Sequence, residues 1–143
     1  MATRILLIED EPILVSLYAL ALAQHGYQVE SALDLASGEE KVIVTRPHLI
    51  LLDLLIPQKV GAPPQSEDFH EPLGFQILKL VKESPSLKDI RVIVLSNLDT
   101  DEHIQKAHEL GADAYIVKAN LDPHNLRNEI ERILHAATPM QLG

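Results

Sequence analysis

The chain has 143 residues, 46% of them hydrophobic, with no cysteine, and its 21 acidic and 12 basic side chains leave a net charge of -9. That length suits one globular domain with one core and leaves no room for a second. The lack of cysteine excludes disulfides and thiolate zinc sites, and the negative balance disfavours nucleic acid or anionic lipid, so proteins and cations are the expected partners.

The opening residues, "MATRILLIEDEP", lack the long apolar segment of a signal peptide, and no apolar run is long enough to span a membrane, so the expected location is cytoplasmic. "RILLIED" (Arg4 to Asp10) reads as a first strand. Helix 1 follows, with Pro12 in its first turn, Leu14, Leu17, Tyr18, Ala21 and Leu22 as its buried stripe and Gly26 past its end. "YQVESA" (Tyr27 to Ala32) is the second strand, and Leu35 to Thr45 a short helix 2 weakened by Gly38 and the branched residues near Val42. "HLILLDL" (His48 to Leu54), "RVIVLSN" (Arg91 to Asn97) and "AYIVK" (Ala114 to Lys118) are the remaining strands, and all five are expected to be buried on both faces. Thr100 or Asp99 can cap helix 4, which Gly111 closes, and Asp122 can cap helix 5, whose stripe is Leu126, Ile130, Ile133 and Leu134. His103 and His108 on helix 4 are five apart, lack the spacing that shares a zinc, and read as surface residues.

Strands alternating with helices imply a parallel sheet with helices on both faces and a ligand site at the carboxyl ends of the strands. Glu9 and Asp10 end strand 1, Asp53 strand 3, Ser96 strand 4 and Lys118 strand 5, so every polar strand end lies on one rim. In strand order 2-1-3-4-5 the three carboxylates come from adjacent strands about 4.8 Å apart. Like charges that close favour a cation between them, and hard oxygen ligands suit Mg²⁺. A carboxylate nucleophile, a metal, a hydroxyl and an ammonium are the parts that phosphoryl transfer needs.

The segments "ILLIEDEP", "LILLDLLIP", "VIVLSN" and "GADAYIVK" resemble the successive signatures of bacterial response-regulator receiver domains, in order, from about Arg4 to Leu134. The resemblance implies a flavodoxin-like (βα)5 sandwich whose Asp53 accepts phosphate from a sensor histidine kinase or phosphotransfer protein. It further implies Mg²⁺ on Glu9, Asp10, Asp53 and the backbone carbonyl of Leu55, with Ser96 as the hydroxyl that follows the phosphate and Lys118 as its pairing lysine. Tyr115 matches the family's switching aromatic, although an aromatic in a strand also reads as core. Output is expected through a protein target on the face of helix 4, strand 5 and helix 5, from a monomer or weak homodimer. The domain is expected over residues 1–136 with a tail at 137–143, and the chain looks like a stand-alone receiver or one cut from something longer.

The sequence departs from the family in several places. Sixteen residues, 58–73, separate Pro57 from Gly74, and Gly74 is preferred to Gly61 as the family's glycine because "GFQILKLVK" continues as helix 3. Ala119 follows Lys118 where the family usually has proline, so that bond is expected to be trans. Leu55 and Leu98 stand where polar side chains can orient a hydrolytic water, which predicts a long-lived phosphoryl group. Two other readings compete. An Asp-nucleophile phosphatase of haloacid dehalogenase type lacks its second aspartate, because Leu55 occupies that position. A non-phosphorylated scaffold has no need of the acids, hydroxyl and lysine that this sequence carries.

Overall fold

In a computed structural model, which describes residues 2–62 and 71–135, five strands and five α-helices alternate along the chain. The strands are β1 (Arg4–Ile8), β2 (Gln28–Ala32), β3 (Leu49–Leu52), β4 (Arg91–Ser96) and β5 (Ala114–Val117). The helices are α1 (Pro12–Ala23), α2 (Leu35–Thr45), α3 (Gly74–Glu83), α4 (Asp101–Glu109) and α5 (Pro123–Leu134), and a short 3₁₀ turn at Lys118–Asn120 follows β5. All strand pairs are parallel, in the order β2-β1-β3-β4-β5.

Alternation along the three central strands builds two cores. Leu6, Ile8, Ile50, Leu52, Val92 and Val94 pack on one side against α2, α3 and α4, through Val42, Phe75, Leu78 and Ala107. Ile5, Leu7, Leu49, Leu51, Ile93 and Leu95 pack on the other against Tyr18 and Leu22 of α1 and Leu126 and Ile130 of α5. Burying each such aliphatic side chain is worth about 1.5–3 kcal/mol, so these strands fix the sheet's register and set which residues reach its rim.

Three expectations about burial need correction. β2 and β5 are edge strands, partly open to solvent; only the three central strands are buried on both faces. Leu17 is 48% exposed, and with Ile13 and Leu20 it forms an apolar stripe on the outside of α1. A helix apolar all round gives no periodic signal for its inner face. His103 is half-buried: it bonds Thr100 and stacks on Phe75.

The helix boundaries rest on local chemistry. Asp34 caps α2 by accepting from the Ser37 amide at 2.8 Å, which offsets the poor propensity of this short helix, whose ends fall where expected. Thr100 and Asp122 cap α4 and α5 by the same bond to the amide three residues on. Glu11 occupies the N-cap of α1 without a side-chain cap bond. Gly74 opens α3, whereas Gly61 lies in a turn with a positive φ of 91°. The Lys118–Ala119 bond is trans, as expected.

Candidate phosphoryl-acceptor site

The sheet register assembles the rim. Ile8 of β1 pairs with Leu52 of β3, so Glu9 and Asp53, the next residues in each chain, emerge side by side. Both backbones stay in the ladder for one more bond: the Asp53 amide donates to the Ile8 carbonyl and the Glu9 amide to the Ala32 carbonyl, each at 3.0 Å. Ser96 of β4 pairs with Val117 of β5, which delivers Lys118 to the same end of the sheet. Glu9, Asp53 and Ser96 are buried, Asp10 and Lys118 partly so.

Glu9, Asp10 and Asp53 each contribute a carboxylate oxygen to a group within 4.8 Å of one another. The Lys118 ammonium lies 2.8 Å from an Asp53 oxygen and also contacts the Glu9 carboxylate. Burial raises the Glu9 carboxyl above its ordinary value, and the neighbouring Asp53 adds to this against the opposing effect of Lys118. Asp10 is raised too, by burial first and then by its bond and charge contact with Glu9. Burial works against a charged Lys118, but Asp53 and Glu9 outweigh it and hold the amine above its ordinary value. One ammonium therefore faces three acids, and this donor set, all oxygen and formally anionic, fits a small divalent cation.

The rest of the rim is more apolar. The Leu55 amide donates to Asp53 Oδ1 at 3.1 Å, so the Asp53 carboxylate is held by its own loop as well as by Lys118. Ser96 Oγ accepts from the Leu98 amide at 3.3 Å, and the Tyr115 hydroxyl donates to the Leu98 carbonyl at 2.6 Å. Tyr115 is half-buried against the α4-side core, and burial lifts its phenol to about 12. The strand carrying Ser96 and the hydroxyl of Tyr115 thus meet at the backbone of Leu98, whose apolar side chain is buried.

The structure brings Glu9, Asp10, Asp53 and Lys118 together, places Ser96 at the same end of the sheet and joins it with Tyr115 at the Leu98 backbone. Sequence reasoning missed one support, Asp34, and the physical reason for another, Gly74. Asp34, besides capping α2, accepts from the Val60 amide at 2.7 Å and so pins the start of the inserted stretch; the pattern "DLAS" at the head of a helix is its local signal. Gly74 donates from its amide to the Leu54 carbonyl at 2.9 Å, and a Cβ there would lie 2.6 Å from the Asp53 carbonyl oxygen. No side chain fits at position 74, where the start of α3 meets the backbone of Asp53 and Leu54.

The family model described as "Response regulator receiver domain" matches residues 5–131. The chain belongs to that family. It is 32% identical over 140 residues to the phosphate regulon transcriptional regulatory protein PhoB of Klebsiella pneumoniae, covering 98% of this chain and 55% of that protein. It is 30% identical over 115 residues to the DNA-binding dual master transcriptional regulator RpaA of Synechocystis, covering 80% of this chain and 42% of RpaA. The chain thus spans about half the length of these curated relatives. Among solved structures, the signal receiver domain of a signal transduction histidine kinase from Syntrophus aciditrophicus superposes with a TM-score of 0.76 at 27% identity, covering 96% of this chain and 94% of that one. A CheY-like receiver domain protein from Methanospirillum hungatei gives 0.77 at 24% identity, with 94% of each chain covered. These neighbours share the flavodoxin-like arrangement described above, and a receiver is a signalling domain, not a conventional enzyme. No helix among the described residues is long and apolar enough to cross a membrane.

Proposed function

We propose that this receiver takes a phosphoryl group onto Asp53 from a sensor histidine kinase or a histidine phosphotransfer protein and passes the change to a protein target. The observation that carries this reading is the Asp53 carboxylate: 6% exposed, bonded by Lys118 and grouped with Glu9 and Asp10. In the transfer, an Asp53 oxygen forms a bond to phosphorus as the bond from phosphorus to the donor's imidazole nitrogen breaks, and that nitrogen keeps the electron pair. Lys118 neutralises charge on the phosphoryl oxygens, and the Ser96 hydroxyl donates to one of them once Asp53 is modified.

Glu9, Asp10, Asp53 and the Leu55 carbonyl would hold Mg²⁺, which when bound offsets the charge of the transferring phosphoryl group. The donor has a foothold beside the rim, because α1 begins two residues after Asp10 and presents Ile13, Leu17 and Leu20 to solvent. Output follows from Ser96 and Tyr115, since both bond the Leu98 backbone and β5 adjoins α4. A groove between α4 and β5, lined by Ile104, Gln105, His108, Ala114 and Tyr115, offers the target a place to bind.

The test is direct. Incubated with Mg²⁺ and acetyl phosphate, the protein should gain the mass of one phosphoryl group, and Asp53→Asn should abolish the gain. Modification that survives in Asp53→Asn would remove Asp53 as the acceptor.

A further inference from the structure

The stretch inserted after Asp53 is held at both of its described ends. At the near end, the Leu35 amide donates to the Pro57 carbonyl at 2.9 Å and the Ala36 amide to the Gln58 carbonyl at 3.2 Å, while Val60 is bonded to Asp34. At the far end, the Glu71 carboxylate pairs with Lys79 of α3 at 3.1 Å and with Lys106 of α4 at 2.8 Å. The Lys106 ammonium also lies 5.4 Å from the centroid of the Phe75 ring, and His103 stacks on that ring with 6.4 Å between centroids and 14° between planes. α4 therefore meets the loop end and the start of α3 through three polar or aromatic contacts.

Little else fixes this helix. Ala107 is the one residue that α4 buries fully, whereas α3 buries Gly74, Phe75, Ile77, Leu78 and Val81. Weak apolar burial gives the polar contacts a large share in placing α4. Their other end leads to the acceptor, because Glu71 is three residues from Gly74 and the Gly74 backbone rests on Asp53 and Leu54.

We infer that Glu71, three residues before Gly74, is a latch that holds α4 in its unphosphorylated position, and that it joins the acceptor strand to α4 by a route separate from Ser96 and Tyr115. The inference rests on the receiver reading above. A change in the Asp53–Leu54 backbone on phosphorylation moves Gly74, which moves the Glu71 carboxylate relative to Lys106. Burial alone would raise the Glu71 carboxyl, but the bonds from Lys106 and Lys79 outweigh it and hold the group below its ordinary value, so it is charged at neutral pH. More than a third of each of these side chains remains exposed, which keeps the pair weak enough to open.

The full chain with Glu71→Gln, Lys106→Gln, both together, or Lys79→Gln can be tested in two ways: hydrogen exchange of the α4 amides without activator, and apparent affinity for beryllofluoride, a phosphoryl mimic, with Mg²⁺. Glu71→Gln and Lys106→Gln should each raise both quantities about two- to fivefold, and the double variant should add little to either. High salt should shrink the difference from wild type. Lys79→Gln, which leaves the Glu71–Lys106 pair in place, should stay near wild type. Unchanged α4 exchange in Glu71→Gln, a lowered beryllofluoride affinity, or an equal effect of Lys79→Gln would each overturn the latch. If wild type fails to respond to beryllofluoride, the receiver reading fails, and the exchange measurement still decides whether Glu71 holds α4.

Discussion

Replacing Lys118 with Met removes the one ammonium among the described residues that lies within bonding distance of the buried acids and keeps a side chain of similar length. In the wild type, the side chains of Lys118, Asp53 and Glu9 are 10%, 8% and 2% exposed, so the pairing is buried and not of the surface kind. An exposed ion pair would contribute about 0–1 kcal/mol, but removing one partner of a buried pair costs about 3–5 kcal/mol because the other charge is left unpaired. The burial here argues for the larger figure at neutral pH without Mg²⁺. With a urea slope of about 2 kcal/mol per molar, the unfolding midpoint should fall by roughly 1.5–2.5 M. Acid should narrow the gap. The folded-state Glu9 carboxyl is held above its ordinary value of 4.5 and goes higher without Lys118. A carboxyl raised in the folded state is harmless below its unfolded pKa and becomes costly as pH rises through the folded one, so the variant recovers towards pH 4.5. Mg²⁺ should restore stability by linkage, about 2.7 kcal/mol at a hundredfold excess over its Kd, and the variant should gain more than wild type because no ammonium competes for the oxygens. Urea melts at pH 7.5 and near pH 4.5, with and without Mg²⁺, give all four values. A loss below about 1 kcal/mol at pH 7.5 would refute the reasoning, since the pair would then be behaving as an exposed one.

Three further outcomes are expected. Asp10→Asn should weaken Mg²⁺ binding in a calorimetric titration, and an unchanged Kd would remove Asp10 from the metal site. Leu17→Asp, on the exposed stripe of α1, should slow phosphoryl transfer from a histidine kinase by at least about tenfold, roughly 1.4 kcal/mol, while leaving the rate with acetyl phosphate unchanged. Self-hydrolysis of the phosphorylated domain should be slow, and Leu55→Asn, at a half-buried position beside Asp53, should accelerate it in a time course of phosphate loss; an unchanged rate would show that water positioning at Leu55 does not matter.

The central strands were legible because β1, β3 and β4 lie between two cores, and a run such as Leu49–Leu52 has no other stable place. The edge strands were found from their branched residues, but their exposure was not, since nothing local in "QVESA" or "AYIV" says that a sixth strand is absent. The same limit applied to α1: a helix as apolar as "PILVSLYALALA" does not reveal which residues face the sheet, and Leu17 was placed inside when it lies outside. Asp53 could be picked out because a carboxylate at the end of an apolar strand stands out, and Glu9, Asp10 and Lys118 gained meaning from the rim they share with it. The Glu71–Lys106 pair could not be read that way. Its partners are far apart in sequence, and each, taken alone, is an ordinary surface charge.

Formal charge explains why the rim would hold both a lysine and a cation. Three carboxylates and one ammonium leave the cluster at minus two, which a divalent ion would bring to zero. Turning the Asp53 carboxylate into an acyl phosphate replaces one negative charge with roughly two, and the new charge lies farther out from the strand. In the proposed function Lys118 would then have a stronger attraction than Glu9 and would follow the phosphoryl oxygens. The Ser96 hydroxyl, which the proposed function brings to the same oxygens, accepts from the Leu98 amide, and the Leu98 carbonyl also holds the Tyr115 hydroxyl. In the proposed function, one route would therefore run from the phosphoryl group through Ser96 and Leu98 to β5, and the other through Leu54, Gly74 and Glu71 to α4. Both routes end on the groove between α4 and β5. A mutation that blocks one of them should reduce the amplitude of the groove's response at saturating beryllofluoride without abolishing it, even where, as in Glu71→Gln, the apparent affinity rises, whereas loss of both should leave the site occupied and the groove unchanged.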